Sequence, residues 1–217
     1  MGLQNRVTPY SALEHSDARG MFMGNRGCLH DDRRTVIRAR SSVQAWVCCR
    51  LQFKGRKRTL MSPGKYTELF FLDEATALAA GHRPCAECRR TAFNAFKAAW
   101  ERAFGTRPSA TDMNKAIFPE MRDRLAGAPP RAARLCDLPD GVLVEMDPGQ
   151  PAIQLGGLVL PWSHHGYGPA REIPRDREVT VLTPAATTRV LAGGYQPTVH
   201  GSAGHPQPPI HDGGVSE

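Results

Sequence analysis

Residues 69–90 read Leu69-Phe70-Phe71-Leu72-Asp73-Glu74-Ala75-Thr76-Ala77-Leu78-Ala79-Ala80-Gly81-His82-Arg83-Pro84-Cys85-Ala86-Glu87-Cys88-Arg89-Arg90, and this stretch decides the architecture. Its apolar opening predicts a short strand over 66–72. An acidic first turn at Asp73 and the alanine-rich run behind it predict a helix that ends at Gly81, a residue that tolerates the positive φ of a helix terminus. The Cys85-x-x-Cys88 pair then falls in a tight turn directly before a longer helix over 89–104. There Phe93, Phe96, Trp100 and Phe104 recur at spacings of three and four, the stripe of a core-facing helix.

Upstream, the pattern over 35–53 predicts two strand pieces around Ser41-Ser42, the second over 43–53, followed by a turn bearing Lys54, Arg56, Lys57 and Arg58. Downstream, 105–135 reads as a second helical stretch ending at Gly127. Short strands in LPDGVLVEM, AIQLGGLVLPW and EVTVLTP come next, then a helical piece over 185–191. The fold class is therefore α+β: a small α/β part that holds the C-x-x-C pair, then helices, then a β-rich C-terminal part. We expect an extended arm over 1–20, a basic metal-binding domain over 21–107, a helical connector over 108–135, a β-rich domain over 136–201 and a disordered tail over 202–217.

The 217 residues are 41% hydrophobic, enough for one core of ordinary size or two small ones. No run approaches the roughly 20 apolar residues of a membrane span, and the N-terminus lacks the apolar segment of a secretory signal. Six cysteines, two of them in a C-x-x-C, fit a reducing compartment and a metal site better than a disulfide framework, so the cytoplasm is expected. The net charge of +7 is unevenly placed. Residues 1–107 hold 19 Lys+Arg against 9 Asp+Glu, whereas 108–217 hold 9 against 12. Such a basic half suits a polyanion, because clustered cations gain affinity by releasing counterions condensed on phosphates.

A C-x-x-C in a turn before a helix lets two thiolates face one cation at about 2.3 Å, and the helix N-terminus favours their ionised form. A redox pair or two structural thiols are the other readings; a redox motif more typically follows a strand, and this pair follows a helix and a glycine. The stretch over 69–90 resembles the second half of the Ada-type zinc-binding domain of DNA repair, in which a strand, a short helix and a Gly-x-Arg-Pro-Cys-x-x-Cys knuckle supply two of four zinc cysteines. The likeness extends loosely over 46–92. The whole chain also resembles a bacterial protein family, one that carries no functional implication.

The resemblance implies zinc and two further ligands upstream, where the Ada-type pattern has Cys-Arg-x-x-Cys. Cys49-Arg50 stands there, but Phe53 occupies the second cysteine position. Cys49 is therefore expected as the third ligand, with Cys48 pointing to the opposite face of its strand. The fourth is expected to be His30, with Asp31 or Asp32 to orient it, or Cys28 in its place. Cys136 reads as a small buried hydrophobe.

The leading expectation is a zinc protein binding nucleic acid, DNA before RNA, with phosphates met by Arg50, Lys54, Arg56, Lys57, Arg58, Arg83, Arg89 and Arg90. The alternatives are an enzyme or a protein-interaction module with structural zinc. As an enzyme it would be a zinc-thiolate methyl acceptor at Cys49, or a metal-dependent hydrolase using His30, Asp31 or the His164-His165 loop. The resemblance implies methyl acceptance, but three thiolates and a histidine leave one net negative charge where four thiolates leave two, which weakens the nucleophile. The two loop histidines read as surface residues, since no metal-binding motif accompanies them.

Overall fold

Strand β1 (Gln4–Val7) lies inside a sheet, paired antiparallel with β2 (Leu13–His15) on one side and parallel with β5 (Leu69–Phe71) on the other through Arg6 and Phe70. This corrects the expected arm over 1–20. The computed structural model describes residues 2–56 and 59–204. Its N-terminal sheet is completed by β3 (Phe22–Asn25), β4 (Val47–Arg50) and β6 (Arg83–Pro84), in the order β2-β1-β5-β3-β4-β6. Of the strand expected over 43–53 only Val47–Arg50 forms. The piece expected before Ser41 is reduced to a single bridge between His30 and Val36.

Helix α1 (Glu74–Ala79) packs behind this sheet; the Asp73 carboxylate accepts the Thr76 N–H at 2.8 Å and so satisfies one of the first-turn donors. Gly81 ends it at φ +82, and a Cβ there would stand 2.4 Å from the Met121 side chain. Gly81→Ala is expected to cost about 1–3 kcal/mol in urea denaturation, from backbone strain and overpacking together. An unchanged midpoint would show that Met121 gives way freely.

Helix α2 (Arg90–Phe104) buries Phe93, Phe96 and Trp100 of the expected stripe, together with Ala99, and leaves Phe104 half-buried. Helix α3 (Ala110–Leu125) starts with a capping box between Ser109 and Asp112 and buries Met113, Ile117 and Met121. The second sheet has the order β11-β10-β9-β8-β12-β7, from β7 (Ala132–Arg134), β8 (Leu143–Asp147), β9 (Gln150–Leu155), β10 (Leu158–Ser163), β11 (Gly166–Tyr167) and β12 (Glu178–Val181). Helix α4 (Ala185–Ala192) follows and packs on α2. The molecule is an α+β protein with a β-rich C-terminal part.

The apolar clusters cross the boundaries expected near 107 and 136. Trp46 and Leu78 share one cluster with α2, α3, β8, β12 and α4, while Leu72, Ala75 and Ala79 share another with Leu143, Ile153 and Leu182. Buried polar joints accompany them. Tyr167 Oη donates to Asp73 Oδ2 at 2.7 Å, and Tyr195 Oη donates to Glu74 Oε1 at 2.6 Å. Such joints reward only one relative placement of the groups, because a partner lost inside a low-dielectric core leaves the other unsatisfied. Among the described residues no helix is long and apolar enough to cross a membrane.

Candidate metal centre

Successive residues of a strand face opposite sides, and β4 uses this to separate two adjacent thiols. Cys48 points into the core and is fully buried, while Cys49 stands half-buried on the other face. Strand β6 runs parallel to β4, with Val47 opposite Arg83 and Cys48 opposite Pro84, and the Cys85 N–H donates to the Cys48 carbonyl at 2.9 Å. That pairing fixes the start of the Cys85–Cys88 turn beside Cys49. The turn closes when the Arg89 N–H donates to the Cys85 carbonyl at 3.1 Å, and α2 begins there.

As a result the sulfurs of Cys49, Cys85 and Cys88 all lie within 4.8 Å of one another. Thiolates around a tetrahedral zinc with bonds of about 2.3 Å stand about 3.8 Å apart, so this spacing suits a metal with little adjustment. The electrostatics agree. Hydrogen bonds from Cys49 and Cys88 hold the Cys85 thiol well below the usual thiol range, and the same bond to Cys85 pushes Cys49 up. Three thiols this close share protons that a cation would displace. Cys48 is pushed up to about 12 by burial, consistent with a neutral core residue.

His30 and Cys28 are not in this group, which corrects both candidates for the fourth ligand. The His30 ring is buried and its two nitrogens are occupied: Nδ1 lies 2.6 Å from Thr67 Oγ1 and Nε2 lies 3.2 Å from the Ser62 carbonyl. Asp31 does not orient the ring; its Oδ1 accepts the N–H groups of Arg33 and Thr35, both at 2.9 Å. Cys28 Sγ donates to the His30 carbonyl at 3.5 Å. Cys136, expected to be buried, is exposed.

The three cysteines line a cleft of about 910 Å³, together with Arg6, Arg19, Arg50, Arg56, Phe53, Tyr66, Phe70, Asp17, Glu68 and Glu87. Arg50 and Arg56 were expected at an anion-binding face and do stand in this cleft; Arg56 is ion-paired with Glu87 at 2.8 Å. Lys54 is exposed beside them, its ammonium 5.2 Å from the Phe53 ring centre. Arg90 is exposed at the start of α2. Lys57 and Arg58 lie outside the described residues.

Arg83 and Arg89 point inward and are corrected as phosphate contacts. Arg83 Nε donates to Asn114 Oδ1 at 2.8 Å, and Arg89 Nη1 donates to Glu74 Oε1 at 2.8 Å in a buried ion pair. Arg6 and Arg19 of the cleft were missed. Nothing local marks Arg6, since β1 reaches the site only by pairing with a strand more than 60 residues away, and Arg19 stands in the loop between β2 and β3. Of the loop histidines only His165 is exposed, its Nε2 3.4 Å from Asp17; His164, expected at the surface, is half-buried, its Nε2 2.9 Å from Glu14. Comparison with protein-family models, with curated proteins and with solved structures found no match to this chain.

Proposed function

We propose that the chain is a cytoplasmic zinc protein of the Ada-like kind that binds nucleic acid, DNA before RNA, along the arginine-bearing cleft. The observation that carries this is the placement of the Cys49, Cys85 and Cys88 sulfurs on the wall of a cleft that Arg50 and Arg56 also line. Sulfur donors at this spacing select zinc among the abundant divalent cations, whereas magnesium and calcium require oxygen. A metal there would tie β4 to the start of α2 and so hold Arg50 and Arg56 at the cleft. A reducing compartment keeps the thiols available as ligands.

The holoprotein is expected to carry one zinc per chain and to bind duplex DNA with an affinity that falls steeply with salt, by a log–log slope of about −0.9 per neutralised phosphate. Replacing Arg50, Lys54 and Arg56 together by Ala should make that slope shallower by about two to three and weaken all sequences alike, because phosphate contacts position without specifying. A zinc-loaded triple variant with an unaltered slope would remove the cleft from the interface. Tighter binding of RNA of the same length would reverse the order of the two ligands.

One observation favours a second reading. Cys49 and Cys85 are only half-buried on the cleft wall, so a thiolate is reachable by an alkyl donor. A methyl acceptor gains a single methyl mass on one of these cysteines after incubation with alkylated DNA, and a pure binder does not.

A further inference from the structure

We propose that the three-cysteine centre is open on its cleft side and takes the sulfur of an exogenous thiol as its fourth ligand. This rests on the zinc half of the preceding reading and is independent of the nucleic-acid half.

The protein donors around the centre are otherwise engaged. Among the described residues, no further His, Cys, Asp or Glu ligand atom lies within 4.8 Å of all three sulfurs. Both nitrogens of His30 are occupied by Thr67 and Ser62, and Cys28 donates to the His30 carbonyl. Cys48 is held on the far face of β4, where Arg89 Nη1 donates to its sulfur at 3.4 Å. Of the three carboxylates in the cleft, Glu68 Oε2 accepts the Met61 N–H at 2.8 Å, Glu87 is paired with Arg56, and Asp17 lies 3.4 Å from His165 and outside the sulfur group. A structural zinc is closed by four protein ligands, whereas a reactive one keeps a position for what it binds. The three thiols line the cleft, so that position is reached from a space of about 910 Å³, ample for a small molecule.

The donor set selects the ligand. Three thiolates on one zinc leave a net negative charge, which disfavours the acidification of water on which metal-dependent hydrolysis relies and suits a soft donor. As the entering sulfur's lone pair forms the metal bond, its S–H bond breaks and the proton passes to bulk water. Cations stand near the second negative charge this leaves: Arg83 is coupled electrostatically to Cys85 and Cys49, and Arg19 and Arg50 line the same cleft. Those cations also favour a thiol carrying its own carboxylate.

The test uses the full-length protein loaded with zinc or cobalt, with mercaptoacetate and 2-mercaptoethanol as probes. X-ray absorption at the zinc edge is expected to count three sulfurs alone and four with mercaptoacetate, with zinc still at one per chain. The cobalt protein's visible bands should shift in a saturable way, with mercaptoacetate binding about tenfold more tightly than 2-mercaptoethanol, which corresponds to about 1.4 kcal/mol. A protein histidine or fourth cysteine in the zinc shell, with bands that neither thiol moves, would overturn the proposal and leave the zinc reading intact. Removal of the metal by the thiol would also overturn it. A purified protein that retains no zinc would overturn both.

Discussion

Cys85→Ser is expected to release the metal and to lower the melting temperature by on the order of 10 °C. The Cys85 N–H donates to the Cys48 carbonyl, and its sulfur shares the cluster with Cys49 and Cys88, so the metal would staple β4 to the first turn of α2. No preformed site exists in the unfolded chain, so the metal's binding free energy appears as folding free energy, about 10–16 kcal/mol in isolated zinc peptides. Much less is expected here, because Trp46, Leu78 and Phe96 belong to an apolar core to which none of the three cysteines belongs. A loss of about 3–5 kcal/mol, at about 2–4 °C per kcal/mol for a chain of this size, gives the stated fall. The shared core also predicts one cooperative transition rather than separate melting of the N-terminal half. Zinc per chain and calorimetry read both quantities. The matched control is Cys136→Ser at an exposed position, which should change neither. Stoichiometric zinc with native melting in Cys85→Ser would dismiss the centre.

Elements specified by neighbours in sequence were legible. The helix from Asp73 to Gly81 needs only a capping carboxylate, a run of alanines and a residue free to take positive φ, and all three are local. The stripe on α2 is equally local, since its periodicity repeats within one helix. The division of Cys48 from Cys49 followed from strand alternation alone, and the joining of Cys49 with the C-x-x-C pair followed from a resemblance read on those residues. What escaped was non-local. Residues 4–7 carry a strand too short to signal itself, and only Phe70 across the parallel pairing reveals where it belongs. The chain showed a basic half and a β-rich half but nothing of the cores that Leu72 and Trp46 share with the second sheet.

The errors at the site share a cause. His30 beside two aspartates looks like an oriented ligand, yet Thr67 supplies the partner that fixes its ring, from 37 residues away. Arg83 and Arg89 add to a basic run when read along the chain, and in three dimensions both turn into the protein. A count of charges cannot distinguish an arginine that faces solvent from one that meets a buried carboxylate, because the difference is set by a partner contributed by another element. Arg50, the last residue of β4, and Arg56, on the polar loop after it, instead line the cleft beside the three cysteines.

Glu74→Ala is expected to destabilise the fold by about 3–5 kcal/mol, the loss that follows when one member of a buried ion pair is removed. The Glu74 side chain is 1% exposed and that of Arg89 is 7% exposed, at a separation of 2.8 Å. The same carboxylate accepts Tyr195 Oη at 2.6 Å and the Thr198 N–H at 3.0 Å, so it joins α1, α2 and the segment after α4 at one point. Removing it leaves the Arg89 guanidinium inside the core with only the Phe22 ring, 4.3 Å from its centre, and the weak acceptor Cys48 for company. Glu74→Gln keeps a side-chain acceptor for Tyr195 but removes the charge, and combining it with Arg89→Met removes the stranded cation as well. That double variant should therefore be more stable than Glu74→Ala by at least about 1 kcal/mol, since removing both charges of a buried pair costs less than stranding one of them. Urea midpoints at constant denaturant slope would measure both. A Glu74→Ala protein within about 1 kcal/mol of the parent would mean that water or a relaxed Arg89 restores the charge balance. The joint between the two sheets would then rest on apolar packing around Trp46 and Leu72 and on the Tyr167–Asp73 hydrogen bond.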